Sequence, residues 1–251
     1  MLKFGLNKHA ASALVGLIVL TTSGCSSKPM KKRQKPVQVV YRFDDHRWLE
    51  LHGYACEGAL WFVDEKRNIR SEITSQFYRI ITHPYINASE RYIAVPWWGS
   101  SGMTISRDYG RTWKSATVKG REDDEAGSDS PEYENIKSLT VVNDQGFLLT
   151  KQGHLYMSSY PFDDPRIMPG GKGIDYSFTF KGKVYHRRIE VIRSKEGDDV
   201  SRWGLFYVDP RILPNLVYQY YANFQNLPTS VPEVKGYPGW THMQCDMKAG
   251  L

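Results

Sequence analysis

Ser-Arg-Asp-Tyr-Gly-Arg-Thr-Trp, at residues 106–113, is the stretch that says most about the fold. Asp108 can accept hydrogen bonds from the backbone amides of its own turn, and Gly110 can adopt backbone angles that other residues resist. Trp113 is then placed to pack beneath the turn. The stretch therefore predicts a tight β-hairpin held together by its own side chains.

The same stretch matches the pattern Ser-x-Asp-x-Gly-x-Thr-Trp at every defined position. It resembles the Asp-box, a hairpin motif of sialidase-like and related β-propellers. The resemblance implies structural roles for Ser106, Asp108, Gly110, Thr112 and Trp113. Because the motif is structural and occurs once, it lends little support to an enzymatic function.

A weak internal repeat extends outward from this hairpin. Four segments read as a turn glycine, a strand and a polar stop, at residues 58–64, 102–108, 153–159 and 204–210, with glycines 44, 51 and 51 residues apart. A period of about 40 to 50 residues with several short strands is typical of β-propeller blades. Residues 141–150 add a further hairpin, with its turn expected at Asp144-Gln145-Gly146.

These patterns predict an all-β fold. We expect a small β-propeller of four or five blades, with a β-sandwich as the alternative. No linker divides residues 37–251, which we expect to form one binding domain. A short helix is expected near residues 213–224, and the tail after it is expected to wrap around the domain.

The first 24 residues have the layout of a secretory signal peptide. Lys3 and Lys8 precede an apolar run at residues 10–20, and small polar residues lead to Cys25. This run is shorter than the roughly 20 residues that a membrane-spanning helix needs. We therefore expect a cleaved signal peptide.

Cys25 is the expected lipidation site and the first residue of the mature protein. Thr22 stands where lipoprotein signals usually have leucine, so ordinary periplasmic export is the alternative. Ser26 after the cysteine favours transfer to the outer membrane. Residues 25–36 are rich in lysine and proline and are expected to form a lipidated basic tether.

The formal net charge of +6 lies in the N-terminal part of the chain. Lys3 and Lys8 are lost with the signal peptide, and the tether holds Lys28, Lys31, Lys32, Arg33 and Lys35, with no acidic residue before Asp44. Residues 36–251 therefore hold 26 basic and 27 acidic residues, a charge of about −1. The charge of the domain gives no support to nucleic-acid binding.

Two cysteines remain after Cys25 is assigned to a lipid. In an oxidising periplasm we expect Cys56 and Cys245 to form a disulfide, with two buried thiols too far apart to meet as the alternative. Such a bridge would join the end of the domain to its beginning.

The sequence contains none of the common catalytic motifs. The chain has no His-Glu-x-x-His, no phosphate-binding glycine loop and no Gly-x-Ser-x-Gly. The histidines after the signal peptide lie apart in the sequence without metal-ligand spacing: His46, His52, His83, His154, His186 and His242. We therefore expect no metal, no cofactor and no enzymatic activity.

Exposed aromatic and acidic segments are the better candidates for partner binding. Trp97 and Trp98 follow a strand, residues 160–166 form a proline-rich loop, and residues 120–134 are strongly acidic. The candidate contacts are Trp97, Trp98, Glu122, Asp123, Asp124, Glu125, Asp129, Tyr160, Phe162, Asp163, Asp164 and Arg166. The alternatives are that the aromatic residues pack inside the domain and that the acidic residues are only solvated.

Several long segments together resemble a known family. They lie at residues 41–47, 58–67, 106–113, 141–153 and 156–166. In this order they are similar to the Tli immunity lipoproteins of type VI secretion systems, and the likeness covers residues 37–174. The resemblance implies a binding protein that neutralises a phospholipase effector in the periplasm. The alternatives are an envelope scaffold lipoprotein and, less favoured, a carbohydrate-active propeller enzyme.

Overall fold

The computed structural model describes residues 35–99, 102–119, 130–191, 203–209 and 228–250. The signal peptide, Cys25, the five acidic candidates Glu122, Asp123, Asp124, Glu125 and Asp129, and the helix expected at 213–224 lie outside the described residues. Within the described ranges, no helix has the length and hydropathy needed to cross a membrane.

Four strands form the first sheet, an antiparallel meander. They are β1 (Val37–Arg42), β2 (Arg47–Tyr54), β3 (Glu57–Asp64) and β4 (Ile69–Arg79), and they lie in that order. Buried and partly exposed side chains alternate along all of β2. This is the period of two that arises when one face of a strand packs on the core. Leu49 and Leu51 lie on the buried face.

Eight strands form the second sheet. They are β5 (Tyr85–Asn87), β6 (Ile93–Pro96), β7 (Met103–Ser106), β8 (Lys114–Lys119), β9 (Ile136–Val142), β10 (Gln145–Thr150), β11 (Leu155–Met157) and β14 (Phe206–Val208). The spatial order is β5-β9-β10-β11-β14-β8-β7-β6. The β5–β9 and β14–β8 pairs are parallel and the others are antiparallel. A 3-10 helix, Tyr133–Asn135, precedes β9.

The two remaining strands form a separate ribbon. β12 (Ile174–Phe180) pairs with β13 (Lys183–Ile189) in an antiparallel hairpin. Ile174 and Ile189, which pair at its base, are buried in the core. Val184 near the tip is 56% exposed.

The all-β class predicted from the sequence is confirmed. Each of the four repeat segments contains a strand, namely β3, β7, β11 and β14. The last three strands belong to one continuous eight-stranded sheet. The division into four or five blades is therefore not confirmed, and neither is the sandwich alternative.

One predicted turn is displaced by a residue. The turn between β9 and β10 consists of Asn143 and Asp144, at φ 51° and 58°, rather than residues 144–146. Gly146 lies inside β10, where a Cβ atom would come within 1.9 Å of the hydroxyl oxygen of Tyr207. The glycine is therefore needed for packing and not for the turn.

The core is unusually rich in tyrosine. Tyr41, Tyr85, Tyr92, Tyr156 and Tyr207 are fully buried. The hydroxyl of Tyr41 donates to the carbonyl oxygen of Tyr85 at 3.0 Å, and that of Tyr92 lies 2.9 Å from the carbonyl oxygen of Gly204. Burial raises the pKa of Tyr92 to about 12. The hydroxyls of Tyr41 and Tyr92 stay neutral and join distant parts of the chain.

The C-terminal segment, residues 237–246, joins the two sheets, and we call it the strap. Its Trp240 and Gln244 amides donate to carbonyl oxygens of β1, and its Thr241 carbonyl accepts from the amide of Tyr85 in β5. β1 and β5 are the edge strands of their sheets. The predicted disulfide is confirmed, since Cys56 and Cys245 are bonded with their Cα atoms 5.9 Å apart.

The strands give the domain two distinct ends. β2 runs from Arg47 at one end to Tyr54 at the other, roughly 23 Å away at about 3.3 Å per residue. The turn end collects the turns at 43–46, 65–68, 88–92, 107–113, 143–144 and 158–166. The disulfide end holds Lys35, Cys56–Cys245, Phe77, Trp98 and Met247.

Candidate functional site

The hairpin between β7 and β8 is held by a closed set of local hydrogen bonds at the turn end. The Asp108 carboxylate accepts from the amides of Arg111 and Thr112, at 3.1 and 2.9 Å, and from the hydroxyls of Ser106 and Thr112, both at 2.7 Å. The Ser106 hydroxyl oxygen in turn accepts from the amide of Gly110 at 2.8 Å. Burial opposes ionisation of Asp108, but these hydrogen bonds outweigh it and lower its pKa.

Gly110 and Trp113 fix this hairpin to the first sheet. Gly110 has φ 84°, and a Cβ atom there would come within 2.3 Å of the Phe62 ring. The indole nitrogen of Trp113 donates to the hydroxyl of Ser71 at 2.8 Å, and its ring meets Phe62 edge to face. The hairpin is thus a rigid support for the loops beside it.

Two arginines connect the turns of the turn end. Arg67 binds Asp64 at 2.9 Å and also Glu90, and its guanidinium lies 4.6 Å from the ring centre of Tyr109. Burial opposes the charge of Arg67, but its two carboxylate partners outweigh burial and raise its pKa. The arginine therefore remains charged and ties three turns together.

Arg91 connects three more segments in the same way. It donates to Asp144 at 2.8 Å and to Asp163 at 2.6 Å, and its guanidinium lies 4.6 Å from the ring centre of Phe162. Its pKa is raised as well, because the bonds to both carboxylates outweigh the opposing effect of burial. The loop at 160–166 is held against the second sheet through this residue.

The loop at 160–166 exposes only some of the predicted contacts. Tyr160 is 43% exposed, and the side chains of Asp163 and Arg166 are also accessible. Phe162 and Asp164 are only 6% and 4% exposed, which corrects their assignment as exposed contacts. Phe162 packs beside Tyr92, and Asp164 accepts bonds from Arg166. These two residues shape the loop instead.

Trp97 and Trp98 lie at the disulfide end. The indole nitrogen of Trp97 donates to the hydroxyl of Thr104 at 2.7 Å, so this residue is partly structural. Trp98 is 52% exposed, lies 4.9 Å from the Arg79 guanidinium and packs near Tyr133. Tyr133 thus lies at the disulfide end as well.

The structure therefore separates the two predicted contact surfaces. Arg91, which holds the 160–166 loop, lies two residues before the start of β6, and Trp97 directly follows the end of β6. The Tyr160 loop and the tryptophan pair thus lie at opposite ends of β6. Sequence reasoning missed Arg67 and Arg91 because their partners lie 23 and 72 residues away. It also missed Phe77, which interrupts the pattern of β4 as an outward-facing aromatic.

One group of side chains among the described residues has ligand atoms close enough to hold a metal ion. Atoms of Asp44, Asp45 and His46 lie within 4.8 Å of one another. The Asp44 carboxylate already accepts from the amides of His46 and Arg47 and from the Arg47 guanidinium. This is the bonding of a hairpin turn between β1 and β2, and it carries no metal assignment.

Comparison with protein families finds a match for the part of the chain that contains β1–β10. Residues 33–151, just under half of the 251 residues, match the family described as T6SS Tli3 immunity protein. This part of the chain is similar to the Tli3 immunity family. The resemblance expected from the sequence is confirmed, and it supports an immunity function in type VI secretion. No curated protein matches the chain.

The Tli3 segment includes β1–β10 and therefore both ends of the domain. It contains Arg67, Arg91, the Asp108 hairpin and Trp98. The loop at 160–166, the β12–β13 ribbon and the strap follow it in the sequence. The turn end is thus built by the Tli3 segment together with a loop from outside it.

Proposed function

We propose that this chain is an immunity protein that binds and neutralises a phospholipase effector of a type VI secretion system, from a lipid anchor in the envelope. The match of residues 33–151 to the Tli3 immunity family carries this proposal. The phospholipase target is the finer part of the proposal and comes from the resemblance of residues 37–174. The role is one of binding, without a reaction of its own.

The turn end is the proposed effector-binding surface. Tyr160 is exposed there, and tyrosine gives a large, partly polar contact at a small entropic cost. Asp163, Arg166 and Glu90 surround the same end with charges of both signs. The ion pairs of Arg67 and Arg91 hold these groups in place, so little conformational freedom is lost on binding.

The location of the turn end also favours this surface. It lies at the far end of the strands from Lys35, where the tether joins the domain. An effector that approaches an anchored immunity protein therefore meets the turn end first.

Trp97 and Trp98, at the disulfide end, form the alternative contact surface, and the acidic residues at 122–129 are a further candidate that the sequence alone suggests. An effector bound at either surface can be inhibited in one of two ways. The immunity protein covers the mouth of the effector active site, or it holds a mobile lid of the effector closed. Variants at the two ends distinguish the surfaces.

The test mixes the mature chain with its purified cognate phospholipase effector and measures release of fatty acid from phospholipid vesicles. Excess immunity protein is expected to abolish the release. Tyr160→Ala is expected to weaken inhibition by about tenfold or more, as loss of an interface anchor costs over 1 kcal/mol. Val184→Ala, on the exposed ribbon, is the matched control.

Undiminished phospholipid hydrolysis in the presence of excess immunity protein would contradict the proposed function. If inhibition is lost with Trp98→Ala but retained with Tyr160→Ala, the effector binds the disulfide end. Thermal melting of each variant separates a lost contact from a lost fold, because Tyr160 and Val184 are both exposed.

A further inference from the structure

Exposed apolar side chains are concentrated at the disulfide end. Among the described residues, seven large apolar side chains are exposed. Five of them belong to this end or to the strand termini beside it: Val37, Phe77, Trp97, Trp98 and Met247. Soluble domains rarely leave a contiguous apolar patch without a binding role. The concentration of exposed apolar side chains at the disulfide end therefore indicates a binding surface.

Phe77, Trp98 and Met247 line an open groove of about 720 Å³. Cys56, from the disulfide, and Lys35, the first described residue, line it as well. Phe77 is 72% exposed and has φ 61°, a backbone conformation that costs energy for a bulky residue. The chain thus holds a phenylalanine outward in a strained conformation at the edge of the groove.

The groove combines aromatic rings with basic groups. Arg79 lies over the Trp98 ring and pairs with Glu57, so this pair adds no net charge. Lys35 and Lys248 are exposed nearby, and Asp246 is the acidic residue on the same C-terminal segment. Aromatic and apolar side chains beside lysines are typical of surfaces that lie in the interface of a membrane.

We propose that this groove docks on the headgroup surface of an anionic lipid bilayer. The tether supports this occupant, because Lys35 is only ten positions after the anchor site Cys25 in the sequence. At about 3.5 Å per residue, the groove cannot lie more than roughly 35 Å from a lipid on Cys25. Lys28, Lys31, Lys32 and Arg33 in the tether are attracted to the same anionic surface.

Docking in this way sets the orientation of the whole domain. With Phe77, Trp98 and Met247 in the headgroup region, the strands stand away from the membrane and the turn end faces the periplasm. This docking is proposed together with the lipid anchor on Cys25, but the experiment below measures it without an acyl chain on the protein. The bilayer orients the surface that the effector reaches.

The experiment uses the mature chain with Cys25→Ser, so that no acyl chain contributes to binding. Flotation measures its binding to vesicles of phosphatidylethanolamine and phosphatidylglycerol at three to one, and to vesicles of phosphatidylcholine. Binding to the anionic vesicles is expected to dominate. Adding Phe77→Ser and Met247→Ser is expected to lower the partition constant by about tenfold or more.

Val184→Ser and Tyr160→Ser are the matched controls, since they remove exposed apolar side chains far from the groove and leave the basic tether unchanged. They are expected to bind vesicles like the parent chain. If the Phe77 and Met247 substitutions bind equally well, the groove does not contact lipid and the proposal fails.

The effector assay on the same variants separates the two proposals. If the groove substitutions abolish inhibition and leave vesicle binding unchanged, the occupant is the effector and lipid docking is wrong. A parent chain that binds vesicles but never inhibits the phospholipase contradicts the proposed function alone. Near-ultraviolet circular dichroism confirms that each variant is folded.

Discussion

Asp108 makes four hydrogen bonds to its own hairpin, and these support the turn end. Replacing it with alanine leaves two amides and two hydroxyls of the turn without this acceptor. We expect Asp108→Ala to lower the free energy of unfolding by about 2 to 3 kcal/mol, since hydrogen bonds to a charged group are the stronger ones. Urea denaturation measures the change.

Glu65→Ala is the control for this substitution, because Glu65 is exposed at the neighbouring turn, and a change within about 0.5 kcal/mol is expected.

The pKa of folded Asp108 is lowered, so its contribution to stability is present above the unfolded pKa of about 3.9 and is lost as pH falls through the folded pKa. The stability difference between wild type and Asp108→Asn should therefore shrink below about pH 4.

Gly110 tests the packing of the same hairpin against the first sheet. Alanine there meets both a positive φ and the Phe62 ring, whereas alanine at Gly153, φ 88°, meets open space. We expect Gly110→Ala to cost about 3 kcal/mol and Gly153→Ala about 1 kcal/mol, the cost of conformation alone. Equal melting temperatures for the two variants would contradict the contact with Phe62.

At the scale of elements, the strap closes the fold. It bonds to the edge strands of both sheets, and the disulfide between Cys56 and Cys245 spans 189 residues of sequence. Closing so long a loop restricts the unfolded chain. In the chain-entropy model we expect the Cys56→Ser, Cys245→Ser double variant to be less stable by about 5 kcal/mol.

Guanidinium denaturation of the variant and of the reduced wild-type protein measures this loss. The two should agree, since both lack the same covalent link. Hydrogen exchange at the Trp240 and Gln244 amides should accelerate in both. Unchanged exchange at these amides would show that the hydrogen bonds to β1 hold the strap without the disulfide.

At the scale of the whole molecule, the charge divides the chain into a basic tether and a nearly neutral domain. This division fits an anchored binding protein, which the signal-peptide layout before Cys25 predicts. Wild-type protein is expected in the membrane fraction with acyl chains on its N-terminal cysteine, and Cys25→Ser in the soluble periplasm. Mass spectrometry of the mature N-terminus provides the measurement, and an unmodified cysteine there would favour ordinary periplasmic export.

The all-β class, the strand in each repeat segment and the Cys56–Cys245 pair could be predicted from the sequence. The hairpin at 106–113 was the easiest feature to predict, because Asp108 bonds only to residues within four positions of it. The exposure of Phe162 and Asp164 was predicted wrongly. A proline-rich loop looks exposed in sequence, but Phe162 packs against Tyr92, a residue 70 positions earlier in the chain.

The sequence by itself therefore determined the local elements, since alternation, turn residues and capping act over a few residues. Only the tertiary structure decided which loops share an end of the domain. That choice depends on long-range pairing, including the parallel β5–β9 and β14–β8 pairs, and on ion pairs such as Arg91–Asp163. Their partners are distant in sequence, so no local pattern could place Tyr160 and Trp98 at opposite ends.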